Sequence, residues 1–157
     1  MMQSNMIIFP MTEAHVAQVA ALEAQCFSLP WTRELMENEL TNPLSLWLVA
    51  VLGDQVAGYV GSQQVMDEAD VMNLAVAPAF RRQGIGSALL AELERRLAQH
   101  GTAWLTLEVR ASNEGAIALY EGRGYRQAGR RPRYYSRPVE DALILKKGLV
   151  RDEHSGD

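Results

Sequence analysis

Three observations in the 157-residue sequence predict a mixed α/β fold in which helices flank a central, mixed, twisted sheet. An apolar strand pattern from Val71 to Val76 runs through Pro78 into a glycine-rich turn and then an amphipathic helix. A further strand pattern, Ala103 to Val109, follows that helix, and strand, helix, strand implies a right-handed parallel crossover. Upstream, Leu46 to Leu52 and Gln55 to Val65 are joined by Gly53-Asp54, a hairpin signal. A hairpin and a parallel crossover in one sheet make that sheet mixed.

The elements follow in order. Thr12 ahead of Val16, Val19, Ala20 and Leu22 predicts a capped amphipathic helix, and Thr32 ahead of Leu35, Met36 and Leu40 begins a second. Between them, Phe27-Ser28-Leu29-Pro30-Trp31 is too apolar for an idle linker, and is either a loop packed on the core or the wall of a ligand site. The helix from Ser87 to about Gln99 carries Leu89, Leu90, Leu93 and Leu97 on one face, opposite Glu92, Arg95 and Arg96, and Gly101 closes it. Asn113 caps a short helix bearing Ile117, Leu119 and Tyr120, which stops at Gly124. Two last strands, near Tyr125 to Ala128 and Asp141 to Lys146, flank an arginine-rich loop. A single domain over residues 1–150 and a polar, disordered tail over 151–157 are expected.

Composition narrows the classes. At 48% hydrophobic the chain can bury a real core, yet no apolar run approaches the ~20 residues that span a bilayer. Met1 to Met6 lacks a basic region and a long apolar run, so no membrane association and a cytoplasmic location are expected. One cysteine, Cys26, excludes an internal disulfide; beside Phe27 on an apolar face it reads as core packing or a catalytic thiol. A net charge of −4 argues against direct nucleic-acid binding and suits a basic partner. Arg123, Arg126, Arg130, Arg131, Arg133 and Arg137 crowd one region, as a solvated loop or a phosphate contact, while Asp67, Glu68 and Asp70 precede the central strand.

The turn Arg81-Arg82-Gln83-Gly84-Ile85-Gly86-Ser87 is the strongest single motif. Glycines permit close backbone approach and dihedrals that a Cβ forbids, and the first amides of the following helix face outward with the positive end of its dipole. Such a turn cradles phosphate. A nucleotide P-loop would need lysine before Ser87, and a dinucleotide fingerprint would need a small residue where Leu89 stands. The pattern that remains is Arg-x-x-Gly-x-Gly before a helix, or an ordinary strand-to-helix turn with glycines for tightness.

That remaining pattern resembles the turn by which GNAT superfamily acetyltransferases hold the pyrophosphate of acetyl-coenzyme A. The order of elements also resembles the GNAT acyl-CoA N-acyltransferase fold over nearly the whole chain. Three blocks, Asn73-Leu74-Ala75-Val76, Leu107-Glu108-Val109-Arg110-Ala111-Ser112-Asn113 and Ala116-Ile117-Ala118-Leu119-Tyr120-Glu121, are similar to the RimI type, which acetylates the N-terminal alanine of a small-subunit ribosomal protein.

The resemblance implies acetyl-coenzyme A as cosubstrate, with no metal. It implies the turn from Arg82 through Gln83, Gly84, Ile85 and Gly86 to Ser87 on the pyrophosphate, Leu74, Ala75 and Val76 giving backbone groups to the acetyl and pantetheine portions, and Asn113 contacting the coenzyme. Alternation sets Glu108 away from the aliphatic side of its strand, as a surface carboxylate, a partner of Arg110, or, by the resemblance, the general base acting through water. Tyr120 is a core aromatic or, by the resemblance, the general acid toward the thiolate. Phe27, Pro30 and Trp31, with Tyr134 and Tyr135, would then read the acceptor, the N-terminal peptide of a small-subunit ribosomal protein with basic character. A lysine or small-amine acetyltransferase and a non-catalytic coenzyme-binding module are the alternatives; the presence of both Glu108 and Tyr120 argues against the module.

Overall fold

The computed structural model describes residues 5–149, so the tail expected at 151–157 lies outside the described residues. The elements are β1 (Ile7–Pro10), α1 (Glu13–Cys26), α2 (Arg33–Glu39), β2 (Ser45–Leu52), β3 (Gln55–Val65), β4 (Glu68–Val76), a 3-10 turn (Pro78–Phe80), α3 (Ile85–Gln99), β5 (Trp104–Arg110), α4 (Glu114–Gly122), β6 (Arg126–Tyr135) and β7 (Glu140–Gly148). The seven strands form one mixed sheet in the order β1-β2-β3-β4-β5-β7-β6. The β4–β5 pair is parallel, with Asp70 opposite Thr106, whereas β5–β7 and β6–β7 are antiparallel.

The contacts gather in two compact units, one of residues through Gln63 with Met72–Leu93, the other of Gln64–Val71 with Glu94 onward. In the first, the predicted hairpin is present: Leu52 pairs with Gln55 across Gly53-Asp54, and Gly53 takes the positive φ of 62° that such a turn requires. Helix α1 starts at Thr12 in a capping box whose return partner is His15, its Nδ1 accepting from the Thr12 amide at 3.0 Å. Thr32 caps α2 by accepting from the Leu35 amide. Val16, Val19 and Leu22 of α1 pack with Met36, Trp47, Val49 and Tyr59 in the core. Trp47 stacks on Tyr59 at 6.1 Å and donates to the Glu39 carboxylate. Its indole lies where a Cβ on Gly61 would be, so only glycine fits there.

In the second unit, β5 alternates as the sequence predicts, with Leu105, Leu107 and Val109 buried and Thr106 and Glu108 on the other face. Asn113 Oδ1 caps α4 by accepting from the Ala116 amide at 3.1 Å.

Two elements depart from expectation. β1 is absent from the sequence reading: four residues ending in proline carry too little pattern, and the strand exists by pairing Ile7 to Pro10 with Val51 to Leu48. The arginine-rich segment expected as a loop is β6, continuous from Arg126 to Tyr135. Cross-strand pairing explains it, since Asp141 of β7 accepts from Arg130 Nε at 2.8 Å and from the Arg133 amide at 2.9 Å. Pro132 is tolerated because β6 is an edge strand whose register shifts between Arg131 and Tyr135.

Candidate active site

The glycine turn lies in the first unit. Helix α3 begins at Ile85, two residues earlier than the sequence suggests, which makes Ile85, Gly86 and Ser87 its first-turn residues. The first backbone bond of the helix runs from the Ala88 amide to the Gly84 carbonyl at 3.0 Å, so the amides before Ala88 have no acceptor within the helix. Gly84 has φ 81°, and the position of a Cβ there has nothing within 4 Å, leaving a turn that a large anion can approach. Gly86 corrects the expectation: it is helical, and the other left-handed residue of the turn is Arg82, at φ 64°. Just upstream, Arg81 Nε donates to the Val76 carbonyl at 3.1 Å.

In the Phe27–Trp31 loop, Phe27 and Trp31 pack on the core, as one of the two readings expected, whereas Ser28, Leu29 and Pro30 are exposed. Trp31 meets Trp47 edge-on at 5.4 Å. Beneath the loop, the Glu23 carboxylate is fully buried and accepts from the Tyr59 hydroxyl, from Asn73 Nδ2 at 2.6 Å and from the Trp31 amide at 3.0 Å. Burial raises its pKa above the usual carboxylate range, although these donors pull the other way. The sequence reading missed Glu23; the available signal was a charged residue four positions after Val19, on the buried stripe of α1.

The second unit brings Glu108, Tyr134 and Tyr135 together. Glu108 pairs with Arg131 of β6 at 2.7 Å, not with Arg110 two residues along its own strand. The Tyr134 phenol is pushed up, first by hydrogen bonding toward the Glu108 carboxylate and then by burial. Tyr135 is pushed up to about 12, by burial and then by the Glu108 charge, and Arg110 lies over its ring at 4.5 Å. Asp70 belongs to the same field: burial, then Glu108 and Glu68, raise its pKa. Tyr120 is buried, and this burial, with a smaller contribution from Tyr135, pushes its phenol above the usual range. The ring meets Tyr125 edge-on at 5.7 Å, and Tyr125 donates to Glu94, which also binds Arg123 at 2.6 Å and Lys147 at 2.9 Å. Three of the six arginines of the cluster are thus charge-paired, through Arg123–Glu94, Arg130–Asp141 and Arg131–Glu108. Long-range partners of this kind, Arg131 and Asp70 among them, leave no mark in local sequence.

In chemical terms, the second unit holds a carboxylate with a path to solvent and a phenol kept protonated. The first holds the first turn of α3 beside an open glycine position. No helix among the described residues is long and apolar enough to cross a membrane.

The model of the Acetyltransferase (GNAT) family matches residues 16–125. The ribosomal protein bS18-alanine N-acetyltransferase of Salmonella typhimurium is 40% identical over 127 residues, 79% of this chain and 84% of that protein. The N-alpha-acetyltransferase RimI of Mycobacterium tuberculosis is 34% identical over 143 residues, covering 87% and 89%. Among solved structures, the ribosomal-protein-S18-alanine N-acetyltransferase of Escherichia coli superposes with a TM-score of 0.85 at 32% identity, over 97% of this chain and 99% of that one.

Proposed function

The chain belongs to the GNAT family of acetyltransferases, and we propose that it acetylates the α-amino group of the N-terminal alanine of a small-subunit ribosomal protein. The observation that carries the acceptor is the S. typhimurium relative, named for the alanine of bS18. Energetics favour the same acceptor: an α-amine titrates near ~8 and a lysine near ~10.4, so presenting the neutral α-amine at cellular pH costs roughly 3 kcal/mol less.

Acetyl-coenzyme A supplies an activated acyl group, its C–S bond breaking as the amide C–N bond forms. Glu108 takes the ammonium proton through a water, its side chain being partly exposed. Tyr120 gives its phenolic proton to the departing sulfur and is reprotonated by the second proton that the attacking nitrogen sheds as the amide forms; burial keeps the phenol protonated at neutral pH. The first-turn amides of α3 hold the pyrophosphate, and Arg82 and Gln83 complete the turn. Leu74, Ala75 and Val76 offer backbone groups to the acyl and pantetheine portions, with the Val76 amide on the carbonyl oxygen. Asn113 contacts the coenzyme while its Oδ1 caps α4. Phe27, Pro30 and Trp31, and separately Tyr134 and Tyr135, line the acceptor, while Asp67, Glu68 and Asp70 attract a basic peptide.

The test is direct. Purified protein, acetyl-coenzyme A and a panel of short peptides are incubated, and acetylation is mapped by mass spectrometry. Acetylation at a free N-terminal alanine, absent when that amine is blocked, is the expected result. Equal acetylation of the blocked peptide on an internal lysine would overturn it.

A further inference from the structure

Glu23 is costly where it stands. An apolar residue at this fully buried position of α1 would pack without desolvating a charge, and replacing buried ionic groups by apolar ones is often neutral or stabilising. What an apolar side chain lacks is two oxygens that reach other segments. Oε1 accepts from Tyr59 of β3, and Oε2 accepts from Asn73 of β4, immediately before Leu74, and from the backbone of Trp31. The Glu23 carbonyl also accepts from the Phe27 amide at 3.0 Å. One residue therefore holds both ends of the five-residue loop, Phe27 through its backbone and Trp31 through its side chain. Between those ends Ser28, Leu29 and Pro30 are exposed.

We infer that Glu23 is a positioning residue for the acceptor: it clamps the Phe27–Trp31 loop against β4 in the conformation that receives the acceptor's N-terminus. The inference rests on the reading of that loop as an acceptor wall. A residue that only completed the core would change stability and leave acceptor recognition alone. The clamp instead predicts a selective effect, because the glycine turn shares no hydrogen bond with Glu23.

The experiment compares wild type, Glu23→Ala and Glu23→Gln in the full chain. Hydrogen exchange is followed by mass spectrometry across residues 27–32, and steady-state kinetics use an alanine-terminated peptide. For Glu23→Ala, exchange at the Trp31 amide should rise at least about tenfold while Val16 to Leu22 of α1 stays protected. Its peptide KM should rise about tenfold, the worth of one hydrogen bond to a charged group, with acetyl-coenzyme A affinity within about twofold of wild type. Glu23→Gln should recover most of the KM, its oxygen serving the two N–H donors and its amide donating to the Tyr59 oxygen. If Glu23→Ala does not fold, Asn73→Ala, which removes one anchor of the same oxygen, should raise loop exchange and peptide KM by about threefold. Unchanged loop exchange or unchanged peptide KM in a folded variant would overturn the clamp. A wild-type protein that acetylates no peptide would overturn the acceptor reading, and loop exchange would still decide the clamp.

Discussion

Placing valine at Gly84 separates binding from folding. Gly84 has φ 81°, and a side chain there costs roughly 1–2 kcal/mol because the left-handed region crowds the Cβ. No heavy atom lies within 4 Å of the Cβ position, so the first atom of the new side chain meets no clash in the free protein. For a domain of this size, the strain lowers Tm by about 2–8 °C. The ligand suffers more, because the new side chain occupies the open face where a phosphate would approach the first amides of α3. Losing one or two hydrogen bonds to a charged oxygen, at ~1.5–3 kcal/mol each, weakens acetyl-coenzyme A by about tenfold to 10⁴-fold, at ~1.4 kcal/mol per decade. Calorimetric titration with acetyl-coenzyme A, beside a thermal melt of the same preparation, measures both numbers. Gly86→Ala is the companion variant: the helical backbone at Gly86 accepts alanine, so lost binding with an unchanged melt reports the closeness of the phosphate. A folded Gly84→Val protein that binds within about threefold of wild type would remove the turn from the coenzyme site.

Other outcomes follow from the same geometry. Glu108→Gln should lower kcat by about 10²–10⁴-fold with coenzyme affinity unchanged, the scale of a lost general base, and wild-type single-turnover rates would refute that role. Tyr120→Phe should also slow the chemical step. Because burial raises the folded Tyr120 pKa, its acid form persists as pH rises past the ordinary phenol value of ~10, and kcat between pH 7 and 9.5 should show no falling limb belonging to it. A limb below that value that disappears in Tyr120→Phe would contradict the protonated phenol. Gly61→Ala drives a Cβ into the Trp47 indole, which the Glu39 hydrogen bond and Tyr59 stacking hold in place, and should cost about 1–3 kcal/mol in chemical denaturation. No loss would show that the indole can shift.

What the sequence determined by itself is what depends on near neighbours. Thr12, Thr32 and Asn113 cap their helices because a cap reaches only two or three residues ahead. The β5 alternation and the Gly53-Asp54 hairpin follow from side-chain period and turn dihedrals, again local properties. The glycine turn was legible for the same reason, although which residues go left-handed, Arg82 and Gly84, emerged only from the folded backbone. Tertiary structure decided the partners. Glu23 meets Tyr59 and Asn73 across 36 and 50 positions, and Glu108 takes Arg131 from another strand over Arg110, two residues along its own. β1 and the full length of β6 likewise owe their existence to the strands beside them. A cap or a pleat is set by covalent spacing, whereas a buried charge is satisfied by whatever donor the packing delivers, and only the assembled sheet fixes which donor that is.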